Sequence, residues 1–380
     1  MRKIRESLKK IGKSSSGFLL ELFSKVDDLT NRDLVYYDNA MDMETCFDKY
    51  SFQEHKWHQT PNGDMEWVYM LNRQGYLVDL AIAFYLTKKE KYLEKWKLII
   101  FDFIERNEAE ISHPEASWRV LDAGIRLMNW IKSLTYLPLD KLTEVEKDRI
   151  HASMKKHADY IRAHLQEKHL LSNWGVLAVS GLLSFVYFDT KELEMSEWAK
   201  KTLMQQAALQ FTPKGIHWEQ SPLYHHEVVM CYAYLYQVAE TLDNGDADVW
   251  KKILRNPVQA TYYLSNSKQE LLSLNDSDVV DFSWVQSYYH LLGFDSVCTD
   301  YETGLIFAGN NFNKQHDVCF NSFFFDEVAG LAVVKQNDLY FTLFGGMHGS
   351  SHGHASQGGI SLEMNGVHFI THPGRYSYTE

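Results

Sequence analysis

The sequence lacks both a cysteine framework and a long apolar run. Its four cysteines, Cys46, Cys231, Cys298 and Cys319, are scattered without CxxC spacing, which argues against a zinc ribbon or a disulfide scaffold and predicts reduced thiols. The apolar piece at residues 18–20 is too short for the core of a signal peptide. We therefore expect a cytoplasmic protein without a membrane span, with an exported parent that has lost its leader as the alternative.

The chain also lacks an excess of positive charge. It carries 38 Lys and Arg against 50 Asp and Glu, a formal net charge of -12 at pH 7. Because nucleic-acid phosphates require clustered basic side chains, this balance argues against a nucleic-acid partner. It leaves open an anionic substrate held by a local basic cleft.

Aromatic residues are abundant, at 14% of the 380 residues. The hydrophobic content of 45% and the charged content of 23% are those of a globular protein, and the length suits two or three domains. Aromatic rings can line a groove that stacks against sugars or bases, but we expect most of them to lie in the core.

Residues 1–60 have little periodicity and are interpreted as a lead-in segment with one amphipathic helix near residues 18–26. Residues 61–300 are predicted to be helical hairpins packed side by side, because short polar loops separate apolar residues at helical spacing. The predicted helices cover 67–85, 92–104, 120–134, 144–163, 174–188, 196–209, 224–242, 249–263 and 282–292.

Residues 301–380 change character and predict an antiparallel sheet, because short β-rich runs alternate with Gly, Asn and Asp. Asn365-Gly366 is the strongest hairpin signal in the chain. A two-residue turn there pairs Met364 with Val367 and Leu362 with Phe369. Residues 376–378 look like a further strand at the end of an unfinished sheet.

The hairpin brings His372 opposite Gly359 and towards the loop that carries His348, His352 and His354. A cluster of imidazoles is therefore plausible. Three histidines form a familiar zinc ligand set. The alternative is that the surrounding glycine and serine residues mark only a loop.

The stretch 217–226 crowds imidazoles, a carboxylate and a phenol at the start of a helix. Ser221 suits the N-cap and Pro222 the first helical position. Tyr224 then lies in the first turn, where the partial positive charge of the helix N-terminus favours a phenolate. Alternatively, these side chains form an ordinary helix cap.

Two further motifs carry polar side chains suited to an acidic sugar. Asn173 precedes an apolar run and either caps a helix or presents its amide to a substrate carboxylate. Arg119 and Arg126 lie about two helical turns apart on one face. They either pair with neighbouring acids or bind a sugar acid in bidentate fashion.

Together these motifs resemble the heparinase II/III family of polysaccharide lyases, most closely its heparinase III branch. The matching pieces run from about residue 60 to the end: WVYMLNRQGYLVD (67–79), WRVLDAGIRLMNW (118–130), SNWGVL (172–177), WEQSPLYHHEV (218–228) and HGHASQGGISLEMNGVHFITHPGRYSY (352–378). The resemblance implies an incomplete α/α toroid over 61–300, followed by a C-terminal antiparallel β-sandwich from 301. In this chain the sandwich is only partly present, so we expect a C-terminally truncated relative.

The resemblance also implies β-elimination on a uronate-containing glycosaminoglycan of the heparin or heparan sulfate type. Asn173 matches the asparagine that neutralises the uronate carboxylate. Tyr224 matches the tyrosine that acts as base, as acid, or as both, and His352 matches the histidine that faces it. The division of the proton transfers between these two side chains stays open. The residues assigned to substrate positioning or to orienting Tyr224 are Arg119, Arg126, Glu219 and His225.

The resemblance further implies one structural divalent metal, zinc or calcium, with His354 and His372 as ligands. Two positions depart from the family pattern. His372 stands where the family has the Asp of an Asp-Pro-Gly turn, and Ser356 stands where it has the Asp of His-Gly-His-Ala-Asp. The imidazole of His372 can still ligate a metal.

Two other functions fit parts of the sequence. A toroidal glycoside hydrolase needs two carboxylates at hydrolytic spacing, for which Glu219 and Asp122 are the only pair nominated. A non-catalytic carbohydrate-binding protein is the third hypothesis, and it follows from the incomplete sandwich.

Overall fold

The computed structural model describes residues 17–36, 48–52, 57–107, 113–189, 192–309, 316–347 and 351–376. The chain divides into two compact units: unit 1 comprises residues 1–169, 174–203 and 378–380, and unit 2 comprises residues 170–173 and 204–377. The domain bounds predicted at residues 60 and 300 are a different division, and they stay a prediction.

Helices dominate up to residue 308, and an antiparallel sheet follows them. The described residues form 13 α-helices: α1 (Gly17–Asn31), α2 (Met65–Arg73), α3 (Tyr76–Thr87), α4 (Glu90–Asn107), α5 (Pro114–Ser117), α6 (Val120–Tyr136), α7 (Glu144–His164), α8 (Asn173–Phe188), α9 (Leu193–Gln210), α10 (Pro222–Thr241), α11 (Asp246–Tyr263), α12 (Ser283–Leu291) and α13 (Tyr301–Ala308). The strands are β1 (Leu34–Val35), β2 (Tyr50–Ser51), β3 (Phe323–Asp326), β4 (Leu331–Gln336), β5 (Leu339–Phe344), β6 (Gly359–Met364) and β7 (Val367–Ile370).

The helical periodicity of the sequence is confirmed along the chain, with two differences. The segment 67–85 is two helices, because Gln74 between them adopts a left-handed backbone with φ of 54° and its buried side chain accepts a hydrogen bond from Trp130 Nε1 at 2.6 Å. Residues 301–308 form helix α13 rather than the first part of the sheet. Within the described residues, every helix is too short or too polar to span a bilayer.

Tryptophan rings form the centre of unit 1. Trp67, Trp96, Trp118 and Trp130 are fully buried, as expected for most aromatic residues of the chain. The indole N–H groups of Trp96, Trp118 and Trp130 find partners inside the core. Trp96 Nε1, for example, donates to Ser133 Oγ at 3.1 Å. Satisfying the ring nitrogen allows so large a side chain to be buried without an electrostatic cost.

Helices α6 and α8 of unit 1 approach each other closely at two glycines. A Cβ atom on Gly124 would lie 2.3 Å from the Cα of Ala178, and one on Gly181 would lie 2.1 Å from the carbonyl oxygen of Gly124. Because glycine has no side chain, the two helices can approach this closely. The contact lies along α8, the helix that begins at Asn173.

Unit 2 combines helices with a five-stranded antiparallel sheet of order β3-β4-β5-β6-β7. Helix α10 packs against α11, and α12 packs against α13. One face of the sheet is buried against the C-terminal part of α11 and the chain that follows it. The cluster that joins them consists of Ile216, Ala260, Tyr263, Leu264, Leu272, Leu274, Ala329, Leu331, Val333, Tyr340 and Phe344.

The Asn365-Gly366 hairpin is present, but its predicted register is only partly right. Both turn residues have positive φ, 52° and 69°, and Met364 pairs with Val367 as predicted. Leu362 pairs with Ile370 rather than with Phe369, because a β-bulge between Leu362 and Glu363 shifts the register. Tyr376 is exposed and lies outside the strands, and the rest of the predicted strand at 376–378 lies outside the described residues.

Candidate active site

A phenol and an imidazole stack against each other in unit 2. Tyr224 lies in the first turn of α10, and its ring centroid is 3.8 Å from that of His352, with 24° between the ring planes. Pro222 starts the helix as predicted. Ser221 occupies the N-cap position without a side-chain capping bond, since its hydroxyl donates instead to the carbonyl oxygen of Asp276 at 2.8 Å.

Asp276 holds the two histidines of the 352–354 loop. Its Oδ2 lies 3.0 Å from Nδ1 of His352, and its Oδ1 lies 2.6 Å from Nε2 of His354. A carboxylate accepts hydrogen bonds, so the proton of neutral His352 resides on Nδ1. The Nε2 atom of His352 is then the basic nitrogen of the ring.

Two left-handed turns position this arrangement. Gln220 has φ of 59° and Asn275 has φ of 55°, and Asn275 Nδ2 donates to the carbonyl oxygen of Gln220 at 2.8 Å. Asn275 Oδ1 also accepts from the backbone N–H of His354 at 3.1 Å. Such backbone conformations are unfavourable for residues other than glycine and are found where neighbouring contacts impose them.

Asn173 is fixed by Glu219. The carboxylate accepts from the Asn173 backbone N–H at 3.1 Å and from Nδ2 at 2.8 Å. Burial raises the pKa of Glu219, although the hydrogen bonds from Asn173 and the charge of His352 oppose this shift. The electrostatic effect of His352 on Glu219 shows that the Asn173–Glu219 pair and the Tyr224–His352 pair share one neighbourhood.

Two histidines of the 217–226 stretch, His217 and His225, are buried in the protein. Burial lowers the pKa of His217 well below its ordinary value, and His217 Nε2 lies 2.9 Å from Gln210 Oε1. His225 Nε2 donates to the carbonyl oxygen of Pro257 at 3.2 Å and contacts Thr261 Oγ1 at 3.1 Å. The structure thus shows His225 supporting the packing of α10 on α11, and its predicted role in positioning substrate or Tyr224 stays a prediction.

The two predicted arginines lie in unit 1. Arg119 pairs with Asp122 through Nε at 2.6 Å and lies over the ring of Tyr69 at 3.1 Å from its centroid. Arg126 is fully buried and donates to Nε2 of His157 at 2.8 Å and to two backbone carbonyls. The pairing with acids, left open by the sequence, holds for Arg119, whereas Arg126 serves the core.

Asp122 is a poor general acid for a hydrolase. Burial raises its pKa, but the charges of Arg119 and Arg73 outweigh burial, and the net shift is downward. Asp122 lies in unit 1 and Glu219 in unit 2, so neither unit by itself contains the nominated carboxylate pair. The local environment of Asp122 therefore gives no support to the hydrolase hypothesis.

His354 and His372, the predicted metal ligands, are near each other, since the charge of His354 adds to burial in lowering the pKa of His372. Gly359 is also close to His372, because a Cβ on Gly359 would lie 2.3 Å from His372 Nε2. Among the described residues, however, no third Asp, Glu, His or Cys joins both rings at metal-ligand spacing. Their role as metal ligands stays a prediction. His348, the third imidazole of the expected cluster, lies outside the described residues.

Asp276 is the site residue that sequence reasoning missed. It stands in the run Leu274-Asn275-Asp276-Ser277-Asp278, where polar residues follow a buried apolar segment. Such a run is typical of a turn, and a turn residue gives no sign that its carboxylate also contacts histidines. Only the fold places Asp276 beside a histidine that is 76 residues away along the chain.

Comparisons with known proteins show the family of the chain. The model of the heparinase II/III N-terminus matches residues 21–295, more than half of the chain. The chain belongs to the heparinase II/III family. Among curated proteins, none matches significantly.

Two solved structures extend the likeness to the sheet. Heparinase III is 16% identical with a TM-score of 0.72, over 94% of this chain and 59% of that one. The heparan sulfate lyase HepC from Pedobacter heparinus is 17% identical with a TM-score of 0.64, over 99% of this chain and 61% of that one. The chain has the heparinase III fold in part, and it spans about three fifths of the length of these two proteins.

Proposed function

We propose that this heparinase II/III family member is a polysaccharide lyase that cleaves a uronate-containing glycosaminoglycan of the heparin or heparan sulfate type by β-elimination. In this reaction the proton leaves C5 of the uronate, and its electron pair forms the C4=C5 double bond. The C4–O4 bond breaks, and the departing oxygen takes a proton. The observation that carries the proposal is the stacked Tyr224–His352 pair, together with the amide of Asn173 that Glu219 anchors.

Removal of the C5 proton requires the neighbouring carboxylate to be stabilised, because negative charge accumulates on it. Glu219 takes up one N–H of the Asn173 amide and so fixes its orientation. The second N–H of that amide is a preorganised donor for the substrate carboxylate. A donor that is already oriented needs no rearrangement when the charge develops.

Tyr224 and His352 supply the two proton transfers. The first turn of α10 favours negative charge and thus stabilises a tyrosinate. The carboxylate of Asp276 keeps the proton of neutral His352 on Nδ1 and leaves Nε2 as an acceptor. Which side chain accepts from C5 depends on the C5 configuration, so the two residues act as a base and acid pair without a fixed order.

The substrate class rests on the family and on the resemblance of the fold to proteins named as heparinase III and as a heparan sulfate lyase. The metal that the resemblance implies stays a prediction, and no step of this mechanism uses it. The substrate-positioning role of Arg119 also stays a prediction.

An ultraviolet assay tests the function directly. The 380-residue protein is incubated with heparan sulfate, heparin, hyaluronan, chondroitin sulfate and alginate, and the absorbance of the new C4=C5 bond is followed. We expect an increase with heparan sulfate, and a fall in rate of about 10²–10⁴-fold in Tyr224→Phe because a proton-transfer group is lost.

Tyr234→Phe is the matched control, since Tyr234 lies on the same helix as Tyr224 and the substitution likewise removes one phenol hydroxyl. Failure of every uronate polymer to give the absorbance would refute the lyase assignment. New reducing ends without the absorbance would point to hydrolysis, and binding without turnover would point to a carbohydrate-binding protein. Full activity in Tyr224→Phe would remove Tyr224 from the mechanism.

A further inference from the structure

Two carboxylates and an imidazole converge in unit 2 at the hairpin formed by β6 and β7. Glu363 of β6 pairs with His368 of β7 beside the bulge, and Glu270 reaches them from the chain between α11 and α12. One ligand atom from each of the three side chains lies within 4.8 Å of the other two. His368 Nε2 is 3.5 Å from Glu270 Oε2, and His368 Nδ1 is 3.6 Å from Glu363 Oε2.

Glu363 is the unusual member of this group, because its side chain is buried with only 1% exposed. One carboxylate oxygen accepts the hydroxyl of Ser267. The other, Oε2, is buried and has no hydrogen-bond donor among the described residues. A buried carboxylate oxygen without a partner is costly and calls for an explanation, of which a bound cation is one.

The charge of the neighbouring Lys335 interacts with that of Glu363, but the hydrogen bonds of its ammonium go to other groups. The Nζ atom of Lys335 donates to the carbonyl oxygens of Tyr262 at 2.8 Å and Ser265 at 2.9 Å, and it lies 3.8 Å from the centre of the Tyr262 ring. Its ammonium is therefore held by the backbone and an aromatic face. The unpaired oxygen of Glu363 points instead towards His368 and Glu270.

We propose that Glu270, Glu363 and His368 form a zinc-type divalent metal site that ties the β6–β7 hairpin to the chain following α11. Two carboxylate oxygens and one imidazole nitrogen are a donor set that zinc accepts. Tetrahedral zinc with bonds of 2.0–2.2 Å places neighbouring ligand atoms about 3.3–3.6 Å apart. The three ligand atoms, one from each side chain, lie within 4.8 Å of one another, so binding would draw them closer together.

The surroundings of the cluster support a structural role. Asn266 Nδ2 donates to Glu270 Oε2 at 2.7 Å and so orients that carboxylate, as partners of metal ligands commonly do. His368 can ligate through only one nitrogen, so the ring or one carboxylate rotates slightly on binding. The site is separate from His354 and His372, and it does not depend on the proposed lyase activity.

The probe is zinc chloride alone, added to protein that has been treated with a chelator and dialysed. Calorimetry is expected to show one zinc per chain, with a higher melting temperature in the presence of zinc. The double variant Glu270→Gln/His368→Gln changes two partly exposed side chains and should bind at least about 10–100-fold more weakly. Glu363→Gln keeps the shape and the Ser267 contact and should do the same.

Two controls identify the site. His354→Ala/His372→Ala removes the ligand pair implied by the family resemblance and should leave this zinc affinity unchanged. Glu327→Gln removes an exposed carboxylate and should also have no effect. The proposal is overturned if the parent chain binds no zinc, if Glu270→Gln/His368→Gln binds as tightly as the parent, or if only His354→Ala/His372→Ala loses the metal.

Discussion

Lowering the pH should destabilise unit 2 through His225, and replacing His225 with glutamine should remove that effect. Burial lowers the pKa of His225 from 6.5 to about 4. The neutral ring uses Nε2 as its donor, while the buried Nδ1 has no partner among the described residues. Protonation would place an N–H group there without an acceptor. The folded state therefore resists protonation, whereas the unfolded chain takes up the proton near pH 6.5.

The magnitude follows from the two pKa values. Above pH 6.5, His225 does not reduce the free energy of unfolding. As the pH falls from 6.5 towards 4, this free energy decreases, because the unfolded state binds more protons than the folded state in that range. A shift from 6.5 to about 4 corresponds to a total loss of about 3 kcal/mol, of which about 2 kcal/mol is reached at pH 5. The amide of glutamine can donate to Pro257 and Thr261 in place of the imidazole and does not titrate.

The assay is urea unfolding at pH 7 and pH 5, read by pulsed hydrogen exchange of peptides from α10 and α11 at one labelling pH. The loss of unfolding free energy from pH 7 to pH 5 should be smaller by about 2 kcal/mol in His225→Gln than in the parent chain. His164→Gln, which removes an exposed ring, serves as the control. An equal pH dependence in His225→Gln and the parent chain would refute the reasoning.

Two further predictions concern Asp276 and the crossing of α6 and α8. Asp276→Asn should lower kcat by about 10²-fold or more, since it removes the carboxylate that orients His352. It should also shift the pH profile of kcat/KM, and an unchanged profile would make Asp276 merely structural. Gly124→Ala should lower stability by about 1–3 kcal/mol, because the new Cβ overlaps the backbone of Ala178. Gly245→Ala, where a Cβ meets nothing within 4 Å, is its control, and equal melting temperatures of the two variants would contradict the prediction.

The sequence by itself determined the order of the elements. Helical spacing of apolar residues is a local signal, and it located the helices on which unit 1 and most of unit 2 are built. The Asn365-Gly366 turn was equally local, because both residues tolerate positive φ. The bulge next to Glu363 was not visible, since it depends on what Glu363 meets across the sheet rather than on its chain neighbours.

Candidate residues could be named from motifs, but their partners could not. Asn173, Tyr224 and His352 stand far apart in the chain, and the structure shows that Asn173 is anchored by Glu219 and that Tyr224 stacks on His352. Burial also distinguishes residues that the spacing in the sequence treats alike. Arg119 and Arg126 share a helix face by periodicity, yet Arg119 pairs with Asp122 while Arg126 lies in the core.

The charged surroundings of individual carboxylates were decided only by the tertiary structure. Asp276 and Glu363 are ordinary acidic residues in the sequence, one in a polar turn and one in an alternating strand. Folding places Asp276 between two imidazoles. It also buries an oxygen of Glu363 that has no donor within the part of the chain that the structure describes. The desolvation of a charged group depends on all the chain packed around it, and local sequence does not encode that environment.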